Sequence, residues 1–195
     1  KDVTVSGTAT LSGTNSLEGT TTASSTFTAT GATSNTAGTG ITSGTGTLVK
    51  TSVVHCGNMI VTKIFIDLTG LRADGSGKVV GVNGGTANCH LGQVTAAKNG
   101  TIVKGTMYCC EVPNAEPNMT LFETTAATLA EGATASGLAG YGVLYARGSD
   151  WAAGEEKLLT AVPTADSYLA LTTGDSAAAS YTQGQFIITL WGYSS

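Results

Sequence analysis

Met59-Ile60-Val61-Thr62-Lys63-Ile64-Phe65-Ile66-Asp67-Leu68-Thr69 decides the fold class. Ile60, Ile64, Ile66 and Leu68 fall on even positions, while Val61, Lys63, Phe65, Asp67 and Thr69 occupy the odd ones. Successive side chains of a strand point to opposite faces, so the pattern predicts a strand with one buried face and one mixed face. Gln185–Tyr193 repeats the pattern, with Phe186, Ile188 and Leu190 on one side and Ile187, Thr189 and Trp191 on the other. In Thr101–Glu111, Ile102, Lys104, Thr106 and Tyr108 alternate against Val103, Met107 and Cys109. Shorter strands are expected at Val53–Cys56, Lys78–Val82, Met119–Glu123, Tyr141–Arg147, Leu158–Val162 and Tyr168–Thr172. Asn83-Gly84-Gly85 and Asn99-Gly100 read as tight turns, and Val94–Lys98 allows one helical turn. No segment sustains a helical period. Eight or nine strands with turns at regular intervals predict an all-β fold, an antiparallel β-sandwich or jelly roll, with a barrel as the alternative.

The pattern begins only at residue 49, so two regions are expected: an extended Thr/Ser/Gly-rich N-terminal arm over 1–48 and a β-sandwich domain over 49–195. The arm carries a six-residue echo in Val5-Ser6-Gly7-Thr8, Leu11-Ser12-Gly13-Thr14 and Leu17-Glu18-Gly19-Thr20. Alone, such a segment buries too little apolar surface to offset the entropy of ordering it. It gains a core if copies or partners supply the rest, which makes Val5, Leu11 and Leu17 the candidate partner-binding residues. The alternative is a flexible linker.

Composition narrows the function. Only 11% of residues are charged, against roughly 25% in a typical soluble domain, and 27 glycines are about twice the usual share. A neutral surface of Thr, Ser, Gly and Ala suits prolonged contact with other protein. The net charge of -4 and the scattered basic residues argue against direct nucleic-acid binding. No apolar run has the length of a membrane span, and no signal-peptide pattern opens the chain, so no membrane partner is expected.

The four cysteines and two histidines form His55-Cys56, Cys89-His90 and Cys109-Cys110. Adjacent strand residues diverge, so these are expected to be packing residues. A zinc site drawing on His55, Cys89, His90 and Cys109, or a Cys56–Cys89 disulfide, is the alternative. No nucleophile triad, phosphate loop or nucleotide fingerprint occurs, so no catalytic residue, cofactor or metal is assigned and no enzyme is expected. Gly75-Ser76-Gly77-Lys78 lacks the earlier glycine of a P-loop and reads as a turn. Asp67, Asp74, Asp150, Asp166 and Asp175 mostly adjoin turn residues. The sequons at Asn99 and Asn118 are read as chance. Trp151 and Trp191 are either core anchors or subunit contacts.

Ile66-Asp67-Leu68-Thr69-Gly70-Leu71, Cys89–Ile102 and the ending Leu190-Trp191-Gly192-Tyr193 resemble virion structural proteins of tailed bacteriophages, of the capsid decoration or cement type found in aquatic phages. The resemblance covers about residues 50–195. It implies a virion location, a non-enzymatic decorating role, contact with the major capsid protein or other virion proteins, and a homo-trimer. A tail-fibre or receptor-binding protein, with the repeat as stalk, is the second expectation. A secreted glycan-binding or glycan-degrading protein is the third.

Overall fold

The computed structural model describes residues 33–37, 42–43, 46–47, 49–146, 148–174 and 178–194. In chain order the elements are β1 (Thr33–Ala37), β2 (Thr42–Ser43), β3 (Gly46–Thr47), β4 (Val49–Cys56), β5 (Met59–Asp67), β6 (Leu71–Ala73), β7 (Gly81–Val82), β8 (Gly92–Gln93), α1 (Ala96–Asn99), β9 (Thr101–Glu111), β10 (Met119–Thr124), β11 (Gly142–Tyr145), β12 (Glu156–Leu158), β13 (Tyr168–Thr173), β14 (Ala179–Ser180) and β15 (Gln185–Tyr193). One short 3-10 turn lies at Ala135–Gly137.

A six-stranded sheet in the order β1-β4-β5-β15-β9-β12 packs against a four-stranded sheet in the order β11-β10-β13-β8, and their strands pair antiparallel. The fold is therefore an all-β antiparallel sandwich. In β5 the even residues Ile60, Thr62, Ile64 and Ile66 are buried, as the alternation predicts. Ile64, Ile66, Met107, Phe186, Ile188 and Leu190 of the large sheet meet Met119, Leu121, Leu144, Leu169 and Leu171 of the small one. Trp151 inserts between the layers. Its Nε1–H donates to the Met119 carbonyl at 3.1 Å, and its ring stands 5.4 Å from those of Tyr145 and Phe186.

A second buried cluster lies on the far face of the small sheet. Phe122 and Ala170 there pack with Val79, Cys89, Leu129 and Ala135. Strands β10 and β13 thus bury residues on both faces, Met119, Leu121, Leu169 and Leu171 on one and Phe122 and Ala170 on the other. The three-stranded sheet β14-β6-β7 closes one side of the sandwich, where the Val80 N–H donates to the Leu171 carbonyl. The segment after β12 closes the other. The Leu159 N–H donates to Gly105 in the large sheet, and the Thr160 N–H to Leu144 in the small one.

Several expected strand bounds change for this reason. The strand expected at Leu158–Val162 is Glu156–Leu158, because the chain then leaves β9 for β11. Lys78–Val82 yields isolated bridges at Lys78 and Val79 and a two-residue β7, since Val79 and Val80 enter different clusters. Tyr141–Arg147 narrows to Gly142–Tyr145, with Arg147 outside the described residues. The helical turn is Ala96–Asn99, capped by the Thr95 hydroxyl, which accepts the Lys98 N–H at 3.2 Å. Gly100, at φ 67°, ends it where the Asn99-Gly100 turn was expected.

In β9 the simple alternation fails. Trp191 pairs with Lys104 but Gly192 pairs with Ile102, so Val103 is an extra, unpaired residue. This bulge turns Ile102 into the core beside Met107 and Cys109 and leaves Val103 55% exposed.

Candidate interaction face

Residues directly opposite each other in an antiparallel ladder share a face of the sheet. The pairing of β4, β5, β15, β9 and β12 therefore defines the outer face of the large sheet row by row. One row holds Val54, Val61, Trp191 and Lys104. The next holds Ser52, Lys63, Thr189, Thr106 and Leu158. The third holds Lys50, Phe65, Ile187, Tyr108 and Glu156. Met59 and Tyr193 continue the face at one end, and Asp67, Gln185 and Glu111 close it at the other.

An antiparallel sheet with a solvated face normally fills that face with polar side chains. Here Val54, Val61, Phe65, Ile187 and Trp191 are half-buried, and Tyr108 and Leu158 are exposed, Leu158 by 58%. Neither buried cluster includes any of them. Thr106 and Thr189 in the middle row are buried. Apolar rows gathered on one sheet face are of the kind that marks a protein contact.

The face carries charges of both signs. Lys50, Lys63 and Lys104 stand among the apolar rows, with the Lys104 Nζ 5.1 Å from the centre of the Trp191 ring. The carboxylates sit at the edges. Glu156 lies on the outermost strand, and Glu111 accepts the Gly184 N–H at 3.1 Å. Asp67 caps its own turn by accepting the Thr69 N–H at 2.9 Å. This arrangement offers shape, desolvation and charge to a partner surface.

Beside Val103, a pocket of about 130 Å³ is lined by Val94, Ala96, Gly100, Thr101, Ile102, Pro163 and Ala165. Val162, next to its Pro163, is also exposed. Its lining carries no charged side chain.

Val5, Leu11 and Leu17 lie outside the described residues. The cysteines and histidines are dispersed. Cys56 is exposed at the end of β4, Cys89 lies in the second cluster and Cys109 in the main core, and Cys110 faces away from it half-buried. All four thiols are free. Among the described residues, no group of three or more His, Cys, Asp and Glu is placed to hold a metal ion. Burial pushes the Cys89 and Cys110 thiols above the usual thiol range. His90 is buried, accepts the Gly92 N–H through Nδ1 at 3.1 Å and packs edge-on to Tyr168; burial lowers its pKa from 6.5.

The remaining sequence candidates take structural places. Gly75 through Lys78 is a turn in which the Lys78 N–H donates to Gly75. Asp74 pairs with Arg72 at 2.5 Å, and Asp166 adopts φ 66° in a turn. The Asn99 side chain is buried, donating to the Thr62 hydroxyl at 2.8 Å, and Asn118 is buried as well, so neither presents its amide for glycosylation.

The two tryptophans divide. Trp151 is 2% exposed in the core, whereas Trp191 lies on the outer face. The face itself was not singled out from the sequence. The signal for it was Val61 and Phe65 on the solvent side of an otherwise half-polar strand, matched by Ile187 and Trp191 in β15. Compared with known proteins, the chain matches no family model, no curated protein and no solved structure.

Proposed function

We propose that this chain is a non-enzymatic structural protein of a phage particle, one that decorates or cements the capsid through its N-terminal arm and its β-sandwich. The observation that supports this most is the outer face of the large sheet, with its apolar rows and three lysines. Apolar rows supply the desolvation that holds a contact, and the lysines orient the encounter with a neutral or acidic shell. The low charge of the rest of the chain keeps the cost of covering a broad surface small. The partners would be the major capsid protein and other virion proteins. A homo-trimer would multiply individually weak contacts through effective concentration.

Purified particles test this. Mass spectrometry should find the chain in many copies, and image reconstruction should place it on the shell with the Trp191 face against protein. A few copies confined to the tail would favour the fibre reading, which the Val5–Thr20 repeat supports. Particles lacking the chain, or hydrolysis of a glycan panel by the purified protein, would refute the structural role.

A further inference from the structure

The chain holds two Asn-Gly pairs, Asn83-Gly84 and Asn99-Gly100. Such a pair can modify itself, because glycine leaves its own backbone nitrogen room to swing onto the side-chain amide of the asparagine before it. The reaction needs a backbone N–H not engaged elsewhere, a side-chain amide free to turn, and space for a five-membered ring. The structure grants these to one pair and denies them to the other.

Asn99 is buried. Its Nδ2 donates to the Thr62 hydroxyl at 2.8 Å, and its Oδ1 accepts the Thr95 N–H at 2.9 Å. The Gly100 N–H donates to the Ala96 carbonyl at 2.9 Å. Attack there would break all of these bonds and leave buried polar groups unpaired.

Asn83 is exposed, at the second position of a turn closed by the Gly85 N–H on the Val82 carbonyl at 2.7 Å. Gly84 follows at φ 72°, as the third position of a type II turn requires, and the space beside its Cα is open. No described group accepts the Gly84 N–H. The Asn83 Oδ1 accepts the Arg72 Nη1–H at 3.2 Å, and Asp74 anchors the same guanidinium. A cation at that oxygen stabilises the negative charge it takes on during attack.

We infer that Asn83 is a self-modifying site, which the folded chain converts to aspartate and isoaspartate with the help of Arg72, while Asn99 stays intact. The Gly84 nitrogen bonds to the Asn83 Cγ and gives up its proton. The Cγ–Nδ2 bond breaks, and ammonia leaves with that proton. Water then opens the succinimide ring. Attack at Cγ restores the peptide bond and gives aspartate. Attack at the backbone carbonyl gives isoaspartate, whose main chain runs through the former side chain and is one carbon longer. Water enters, ammonia leaves, and no oxidation state changes.

Either product adds one negative charge beside Arg72 to a chain of net charge -4. Isoaspartate also lengthens the Val82–Gly85 turn. The Gly85 carbonyl accepts the Glu131 N–H at 2.8 Å, and the Cys89 Sγ lies 3.3 Å from where a Gly85 Cβ would sit. The longer turn therefore loosens the loop carrying Leu129 and Glu131 over the second cluster, and the buried Cys89 becomes accessible. None of this depends on where the chain resides.

Trypsin separates the two pairs, since peptide 79–98 carries Asn83 and Cys89 and peptide 99–104 carries Asn99. The full-length chain is aged in mildly alkaline heavy-oxygen water, alkylated while folded, and mapped by tandem mass spectrometry. Asn83 should acquire heavy oxygen as aspartate and isoaspartate, and Asn99 should do so only in urea. Arg72→Gln, checked for its fold by circular dichroism, should slow conversion of the folded chain about threefold, the size of an exposed charge contact, and leave the rate in urea unchanged. Peptides bearing isoaspartate should carry alkylated Cys89 several times as often as unconverted peptides of the same sample, and Asn83→Gln should keep Cys89 protected throughout. Asn99 converting as fast as Asn83 in the folded chain, Asn83 converting only in urea, or Arg72→Gln converting as fast as wild type overturns the inference. Equal alkylation of Cys89 in converted and unconverted peptides overturns the loosening of the loop.

Discussion

Trp151 and Trp191 offer a direct measurement of which tryptophan holds the sandwich together. Replacing Trp151 by Phe removes the N–H that meets the Met119 carbonyl at 3.1 Å inside the core. A buried hydrogen bond of this kind contributes about 1–1.5 kcal/mol. The phenyl ring is smaller by roughly 40 Å³, and an unfilled volume of that size costs about 1 kcal/mol at 24 cal/mol per Å³. About 40 Å² of lost apolar burial adds about 1 kcal/mol. The edge-on contact with Phe186 survives with a phenyl ring in place, so the loss comes to about 3 kcal/mol, a large part of the 5–15 kcal/mol that stabilises a typical domain. Trp191→Phe perturbs a half-buried ring on the outer face and weakens only its contact with Lys104, so its cost stays under about 1 kcal/mol. Urea unfolding followed by far-ultraviolet circular dichroism reads both, since the slope should not change. The midpoint of Trp151→Phe should fall by about 1.5 M at a slope near 2 kcal/mol/M. Equal losses for the two variants, or the larger loss at Trp191, would refute the assignment of core and face.

Three other outcomes are expected. Gly192→Ala should destabilise by at least about 1–3 kcal/mol, because its Cβ would run into the Asn99 carbonyl, whereas Gly137→Ala meets open space and should be neutral; equal unfolding midpoints would contradict this. The neutral, buried His90 makes stability pH-dependent: it is full above about pH 6.5 and declines as the pH falls toward the lowered folded-state pKa, because there the unfolded chain binds a proton that the folded chain does not. Thermal midpoints of His90→Gln should lack that part of the decline, and parallel curves for the two proteins would count against it. A chelator or a thiol reductant should leave the unfolding midpoint of the purified chain unchanged, since the four thiols are free and the described residues hold no metal cluster; a shift of several degrees with either reagent would show a cross-link or ion.

The sequence alone was enough for the long strands. Alternation at period two is a local property, and β5 and β15 carry it over nine residues each, so their existence and buried faces were legible; β9 was legible as a strand, but its buried face was not. Turns marked by Asn-Gly pairs were legible for the same reason, because a positive φ is set by the residue that adopts it. The place of β15 was not. The last strand lies between β5 and β9, and no local pattern records which strands will be neighbours. The bulge at Val103 depends on the register against Gly192, so the exposure of Val103 and the burial of Ile102 could not follow from alternation. The two-sided burial of β10 and β13 came from the loop carrying Leu129 and Ala135, which folds over a face that would otherwise be solvated. The interaction face shows the division most clearly. Each strand disclosed one or two apolar residues on its solvent side, and only the pairing of five strands gathered Val54, Val61, Phe65, Ile187, Trp191, Tyr108 and Leu158 into one surface. Local chemistry determined what each strand offers, and long-range hydrogen-bond register decided what stands next to it.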